Sequence, residues 1–288
     1  MGNTISVYIP THNRPLFLDR ALNSLVQQSY KNFQVLVCDD GSSSSYEDVV
    51  NKYKNKFENF VFVRNATPKG ACFSRNRLIQ IADGEYITGL DDDDEFLPSR
   101  LEDFLSSKKL GQYAYLCSGF IMNTTKGLIK KPIKTGLVTL PQLLNKNIVG
   151  NQIFIKREDF VRAGCFDISL PAWQDYDAWV RVTQLCGNGY KINKLNYKMN
   201  IDHEEGRISN SPKAKIGYEM FINKHSSILN KENLANLYLQ DKINRNENIS
   251  IVEFARHYSS SAIPLYIKYQ INKKMPFVKR ILYKVNGV

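Results

Sequence analysis

A chain of 288 residues with 43% hydrophobic and 23% charged content has the composition of a folded protein, not a disordered one, and can bury one large core or two modest ones. No apolar run approaches the roughly 20 residues of a membrane span, and the N-terminus lacks the layout of a signal peptide, which predicts a soluble or peripheral protein. The net charge of +11 is uneven: residues 1–100 hold 11 Lys and Arg against 13 Asp and Glu, the other 188 hold 28 against 15, so the second half suits an anionic partner such as nucleic acid, a membrane surface or a phosphate-bearing substrate.

Ser6–Pro10 reads as a buried strand stopped by the polar turn Thr11-His12-Asn13-Arg14-Pro15. Leu18, Ala21, Leu22, Leu25 and Val26 then recur at helical spacing. Gln34–Cys38 is the next strand and runs into Asp39-Asp40-Gly41-Ser42. A helix over Glu47–Phe57, a strand at Phe60–Val63, a helix over Ala71–Ala82 and a strand at Glu85–Leu90 follow, the last leading into Asp91-Asp92-Asp93-Asp94. This alternation predicts an α/β fold on a parallel sheet covered on both faces, whose ligands sit beyond the carboxyl ends of the strands. Three polar clusters occupy those ends: Thr11–Arg14, Asp39–Ser42 and Asp91–Asp94. Four adjacent carboxylates repel one another and call for a cation, and a hard divalent ion, Mg²⁺ or Mn²⁺, takes oxygen ligands. The bland alternatives are a solvated helix cap for the acids and an Asx turn for Asp39–Ser42. Lys69–Asn76 opens the third helix with a glycine and places Arg75 one turn in, a basic group suited to diphosphate.

Further on, Pro98–Lys108 is predicted helical, Tyr113–Met122 a strand and Thr124–Gly127 a hairpin turn, with another strand at Gly150–Ile155. In Trp173–Arg181, Tyr176, Trp179, Val180 and Thr183 share one helical face, and Asp175 falls in the first turn, where a carboxylate is favoured. His203 and Arg207 lie in a polar loop after a strand at Tyr190–Asn200. His203 has the alternatives of a metal ligand or a packed or surface residue; Arg207 suits a diphosphate. From about Pro212 the chain reads as helical and basic. Phe254–Val288 carries seven Lys and Arg with no acid, interleaved with aromatics and aliphatics. That pattern fits a helix on anionic lipid, a nucleic-acid contact, or a packed helix with a solvated outer face.

The ordered set Ser6–Pro15, Gln27–Phe33, Asp39–Ser42, Arg75-Asn76 and Leu90–Asp94 resembles the GT-A fold of the family 2 inverting glycosyltransferases. The resemblance is dense over about residues 4–105. It implies that Asp40 recognises the uracil or ribose of a nucleotide-sugar, with Thr11 and Arg75 beside the nucleotide. It further implies that Asp93 in the DxD position ligates a metal bridging the diphosphate, and that Asp91 or Asp92 contacts the ribose or sugar. Trp173–Asp177, with the preceding Gly164-Cys165-Phe166-Asp167, resembles the family's acidic acceptor-site motif, with Gln174 where a Glu is usual. Inversion needs a carboxylate to take the acceptor hydroxyl's proton, and Asp175 fills that role. By the same resemblance His203 completes the metal shell and Arg207 binds the diphosphate.

The expected protein is a metal-dependent hexosyltransferase using a UDP-sugar, UDP-glucose or UDP-galactose, and a polyprenyl-diphosphate-linked saccharide acceptor in bacterial surface-polysaccharide synthesis. It would sit in the cytoplasm, peripheral at the inner face of the cell membrane, with no nucleic-acid partner. Residues 1–210 would form the catalytic domain, with 1–105 the nucleotide-sugar half and 106–210 the acceptor half, and 211–288 a basic helical extension. The rivals are a sugar nucleotidyltransferase, which should carry a glycine-rich loop where Thr11–Pro15 has none, and a non-catalytic adaptor using the basic tail.

Overall fold

The computed structural model describes residues 4–130, 133–201 and 212–274. Its strands are β1 (Ile5–Thr11), β2 (Phe33–Asp39), β3 (Asn59–Arg64), β4 (Tyr86–Gly89), β5 (Glu95–Phe96), β6 (Tyr115–Thr124), β7 (Gly127–Lys130), β8 (Gly136–Val138), β9 (Phe154–Lys156) and β10 (Gly189–Asn200). The helices are α1 (Pro15–Val26), α2 (Glu47–Tyr53), α3 (Ala71–Ile81), α4 (Arg100–Leu105), α5 (Leu140–Asn145), α6 (Arg157–Arg162), α7 (Gln174–Cys186), α8 (Pro212–Lys224), α9 (Lys231–Asn244), α10 (Ile251–Arg256) and α11 (Ile263–Lys274). The chain divides into two compact units, the first built on the sheet and the second on helices; Pro141–Ile148 and Ser169–Trp173 group with the helices.

The sheet runs β3-β2-β1-β4-β9-β6-β10-β5. Its first four strands are parallel, as the strand–helix alternation predicts, because each crossover helix returns the chain to the same edge. Beyond β4 the sheet is mixed, with β6 and β10 parallel. β9 is antiparallel to both β4 and β6, and β5 and β8 are antiparallel to β10. The Thr124–Gly127 turn closes the predicted hairpin between β6 and β7, a connection too short for anything but antiparallel pairing.

All seven residues of β1 and of β2 are buried, so these strands form the centre. Proline at the first helical position starts α1, and its stripe Leu18, Ala21, Leu22 and Leu25 joins Ile5, Val7, Ile9, Val35 and Val37 in one apolar cluster. At about 2 kcal/mol for each fully buried aliphatic side chain, this cluster is a main reason the carboxyl edges of β1, β2 and β4 are held in register. Residues predicted to lead directly into a long helix are instead drawn to the sheet edge: Phe96 pairs with Tyr197, and the Leu97 amide donates to the Asn196 carbonyl (3.0 Å). The helix after them is accordingly only Arg100–Leu105.

In the helical unit, α9 and α10 each start with a reciprocal capping box, Asn230 with Asn233 and Ser250 with Glu253. Ala235, Leu239, Ile249, Ala262, Tyr266 and Tyr269 form its core. Two of the tail's aromatics are thus core residues, whereas Ile251, Val252, Tyr258 and Ile267 are exposed. No described helix is long and apolar enough to cross a membrane.

Candidate active site

The acidic run leaves the carboxyl end of β4 as a tight turn, closed by the Asp94 amide donating to the Asp91 carbonyl (3.0 Å). Two elements hold it. From α1, Arg20 donates to the Asp93 carbonyl (2.6 Å) and Ser24 Oγ accepts the Phe96 amide, and just past its end the buried Gln28 bonds Leu97 and Leu101. From β10, the Asn200 side chain also donates to the Asp93 carbonyl (2.9 Å), and Lys198 pairs with Glu95. Clamping both flanks makes adjacent carboxylates alternate in direction.

Asp92 and Asp94 point inward. Asp92 is 1% exposed; its Oδ2 accepts from Thr11 Oγ1 (2.7 Å) and its two oxygens face the Arg14 guanidinium. Burial drives its pKa up, to about 7, despite Arg14 and Thr11, and Asp93 and Asp91 add to the rise. Asp94 accepts from Tyr197 Oη (2.8 Å) and the Asn200 amide (2.8 Å). Burial, then Asp91 and Asp93, hold Asp94 well above the usual carboxylate range. Asp91 and Asp93 retain exposure, 22% and 24%. Asp93 Oδ2 lies 3.3 Å from Arg14 Nη1. Asp91 is gripped more fully, by Arg75 Nη2 (2.8 Å), Gln152 Nε2 (3.2 Å) and Asn151 Nδ2 (3.0 Å).

Arg75 links this acidic side to the predicted base. It is 7% exposed, and its guanidinium lies over the Phe166 ring at 5.2 Å. One arm bonds Asp91 and the other faces Asp175 Oδ1 at 3.6 Å. Asn76, next along α3, fixes the support by exchanging two hydrogen bonds with the Phe166 backbone (2.7 and 3.0 Å). On α7, Arg181 pairs with the buried Asp177 (2.9 Å) and donates to the Ala163 and Cys165 carbonyls. The Gly164–Asp167 turn and α7 are therefore tied together, and Tyr176, Trp179, Val180 and Thr183 are buried on the helical face predicted for them. Asp175 Oδ1 is buried yet makes no hydrogen bond. Burial pushes its pKa up to about 6, Arg75 opposing and Asp91 adding to the shift, which is the tuning a general base near neutral pH requires. Burial lowers the pKa of Arg75, but Asp91 and Asp175 outweigh it, so the net shift is upward and the guanidinium stays charged.

At the end of β2 the two acids divide. Asp39 Oδ1 accepts the Ser42 amide (3.0 Å), an Asx turn. Asp40 accepts four bonds, from Asn65 Nδ2 (2.7 Å), the Lys69 amide (2.9 Å), the Gly70 amide (2.7 Å) and Ser74 Oγ (3.1 Å). Burial raises its pKa but the Lys69, Asn65, Gly70 and Ser74 bonds outweigh it, leaving Asp40 below its ordinary value. Gly41 must be glycine: its φ is +68°, and a Cβ would lie 2.6 Å from the Thr67 carbonyl carbon.

Of the residues singled out by sequence, the structure joins Thr11 with Asp92, and Arg75 with both Asp91 and Asp175; Asp40 stands on the β2 side of the same sheet edge. His203 and Arg207 lie outside the described residues. Arg14 carries no sequence signal beyond its place in the polar turn, and Asn151, Gln152, Tyr197 and Asn200 carry none, because nothing in their local pattern separates them from strand residues.

The donor set suits a hard divalent ion. Among the described residues no three His, Cys, Asp or Glu side chains gather at ligand spacing, whereas Asp91 and Asp93 offer two part-exposed carboxylates one residue apart. That matches a cation taking one or two protein oxygens and the rest from phosphate and water.

Residues 6–166 match the family model described as Glycosyl transferase family 2. The chain is 35% identical over 233 residues, 77% of its length and 81% of the relative's, to the Escherichia coli (strain K12) protein named for colanic acid biosynthesis, the glycosyl transferase WcaA. It is 25% identical over 223 residues, covering 73% of this chain and 86% of the relative, to WfaP of Escherichia coli, named as a UDP-Glc:alpha-D-GlcNAc-diphosphoundecaprenol beta-1,3-glucosyltransferase. Among solved structures, S. aureus TarS 1-349 in complex with UDP-GlcNAc shares the fold with a TM-score of 0.68 and 20% identity, over 94% of this chain and 80% of that one.

Proposed function

This chain belongs to glycosyl transferase family 2, and from that membership we propose that it transfers a hexose, with inversion, from a UDP-sugar to a saccharide carried on a polyprenyl diphosphate during surface-polysaccharide synthesis. The fold is GT-A, and the protein is a glycosyltransferase. The observation that carries the finer reading is the buried Arg75 standing between Asp91 and Asp175, with a donor-side acid on one arm and a base on the other. Relatives named for undecaprenol-linked acceptors support the acceptor class.

In this reading the nucleotide lies across the ends of β1, β2 and β4. Asp40 holds the Lys69–Gly70 loop beside it, and Asp92, itself held by Thr11, holds Arg14 towards the phosphates. Asp93, with Asp91, would bind Mn²⁺ or Mg²⁺, which supplies positive charge to the leaving diphosphate when bound. Asp175 takes the acceptor hydroxyl's proton as that oxygen bonds to the anomeric carbon; the bond from that carbon to the diphosphate oxygen breaks, and UDP leaves with the electron pair. Arg75 keeps Asp175 and Asp91 apart electrostatically, so both can ionise. A panel of UDP-sugars followed by thermal shift with and without Mn²⁺, then UDP release with a lipid-linked acceptor, tests the reading. One UDP-sugar should stabilise only with Mn²⁺; nucleoside triphosphate and sugar phosphate doing so instead would favour a nucleotidyltransferase.

We also propose that the helical unit docks on anionic lipid through Arg256, Lys268 and Lys273, among exposed Tyr258 and Ile267. At about 1 kcal/mol per cation near such a surface, R256Q/K268Q/K273Q should lose roughly a hundredfold in affinity for phosphatidylglycerol vesicles. Undiminished flotation of that full-length variant would remove the membrane from the proposal.

A further inference from the structure

Asn151 and Gln152 lie just ahead of β9, and both side chains leave the sheet to meet Asp91. Gln152 Nε2 donates to Asp91 Oδ1 (3.2 Å) and Asn151 Nδ2 to Asp91 Oδ2 (3.0 Å), in addition to the Arg75 bond on Oδ1. The residues are themselves anchored. Gly150, at φ +107°, gives its carbonyl to the Trp179 indole (2.9 Å). Asn151 Nδ2 also faces Tyr197 Oη (3.1 Å) and Asp94 Oδ2 (3.4 Å), and Gln152 Oε1 accepts from Tyr8 Oη (3.4 Å). Gln152 is 4% exposed. Its side chain crosses β4 where Gly89 leaves room: a Cβ on Gly89 would sit 2.1 Å from Gln152 Oε1 and 2.6 Å from the Tyr8 ring.

An ionised carboxylate has about four acceptor directions, and three donors reach this one. We infer that Asn151 and Gln152 are positioning residues that lock the Asp91 carboxylate, leaving it a single direction towards the donor–metal complex and fixing how Arg75 is shared between Asp91 and Asp175. Neutral amides suit this task better than a second cation, since they orient the carboxylate without cancelling the charge that attracts metal. The inference rests on the proposed assignment of Asp91 and Asp93 to the donor side.

The test is calorimetric UDP binding across a Mn²⁺ titration for the wild type, Gln152→Leu and Gly89→Ala, with Tm measured without ligand. Gln152→Leu removes the donor chemically, while Gly89→Ala displaces it sterically. Both should raise the half-saturating Mn²⁺ concentration by roughly 10–100-fold, the range for removing a group that orients a metal ligand. A fall in Tm with half-saturation unchanged in both variants would overturn the inference, because it would reduce Gln152 to packing, and would leave the donor-site reading standing. Absence of Mn²⁺-dependent UDP binding in the wild type would overturn that reading and the inference with it.

Discussion

Asp175→Asn is expected to lose transfer by roughly 10²–10⁴-fold while keeping UDP–Mn²⁺ affinity within about threefold of wild type. Asn preserves the shape and the α7 N-terminal position but cannot take a proton. Arg75 keeps its bond to Asp91 at 2.8 Å, so the donor side is left as it was. At neutral pH stability should rise rather than fall, since the group removed is an ionised carboxylate whose buried oxygen has no hydrogen bond. A pH profile gives the independent check. Folding raises the Asp175 pKa to about 6, so between the unfolded value near 4 and 6 the folded state binds the extra proton and this group's contribution to stability declines as pH rises. Activity runs the other way: kcat should climb as pH passes through about 6, where the base form appears, and that limb should vanish in Asp175→Asn. A cation at the Asp91 side would offset the Asp91 contribution and move the limb to lower pH, so the midpoint should fall as Mn²⁺ is raised. Parallel loss of UDP binding and transfer in Asp175→Asn would place this residue in donor recognition instead.

Asp93→Ala and Asp92→Ala are expected to fail in opposite ways. Asp93 is part-exposed and its side-chain contact with Arg14 is a long one, 3.3 Å, so its removal should leave Tm within a degree or two. It should also abolish the Mn²⁺-dependent part of UDP binding, a loss on the order of a hundredfold. Asp92 is buried against Thr11 and Arg14. Removing it leaves the Thr11 hydroxyl to Tyr46 alone and Arg14 to its long contact with Asp93, at a cost of about 2 kcal/mol, or roughly 4–8 °C in Tm for a protein of this size. Mn²⁺ half-saturation should change less than in Asp93→Ala. The pair decides between two readings that four consecutive acids leave open. A stable Asp92→Ala without Mn²⁺-dependent binding would give Asp92 the ligand role.

Much of this is legible in the sequence. β1 and β2 announce themselves as apolar runs broken by polar turns, the α1 stripe follows helical period, and order along the chain put Thr11, Asp40 and the acid run at one edge of a sheet. Asp175 was legible too, because the buried face of α7 is periodic and sets which residue stands at its first turn. Apart from the β6–β7 hairpin, strand direction beyond β4 was not: a three-residue strand such as β9 has no pattern that says which neighbour it will find, and it lies antiparallel to both. Nor could the partition of Asp91–Asp94 be read, since four identical residues carry no internal contrast.

The sequence by itself determined the sheet's parallel half, the placement of three polar clusters at its carboxyl edge and the chemistry of the acids, because local periodicity and residue type suffice for these. Tertiary structure alone decided which carboxylates turn inward and which keep exposure. Thr11, Arg14, Tyr197 and Asn200, far from the run in the chain, draw Asp92 and Asp94 inward, and Asn151, Gln152 and Arg75 fix Asp91, because a buried carboxylate goes where its donors are.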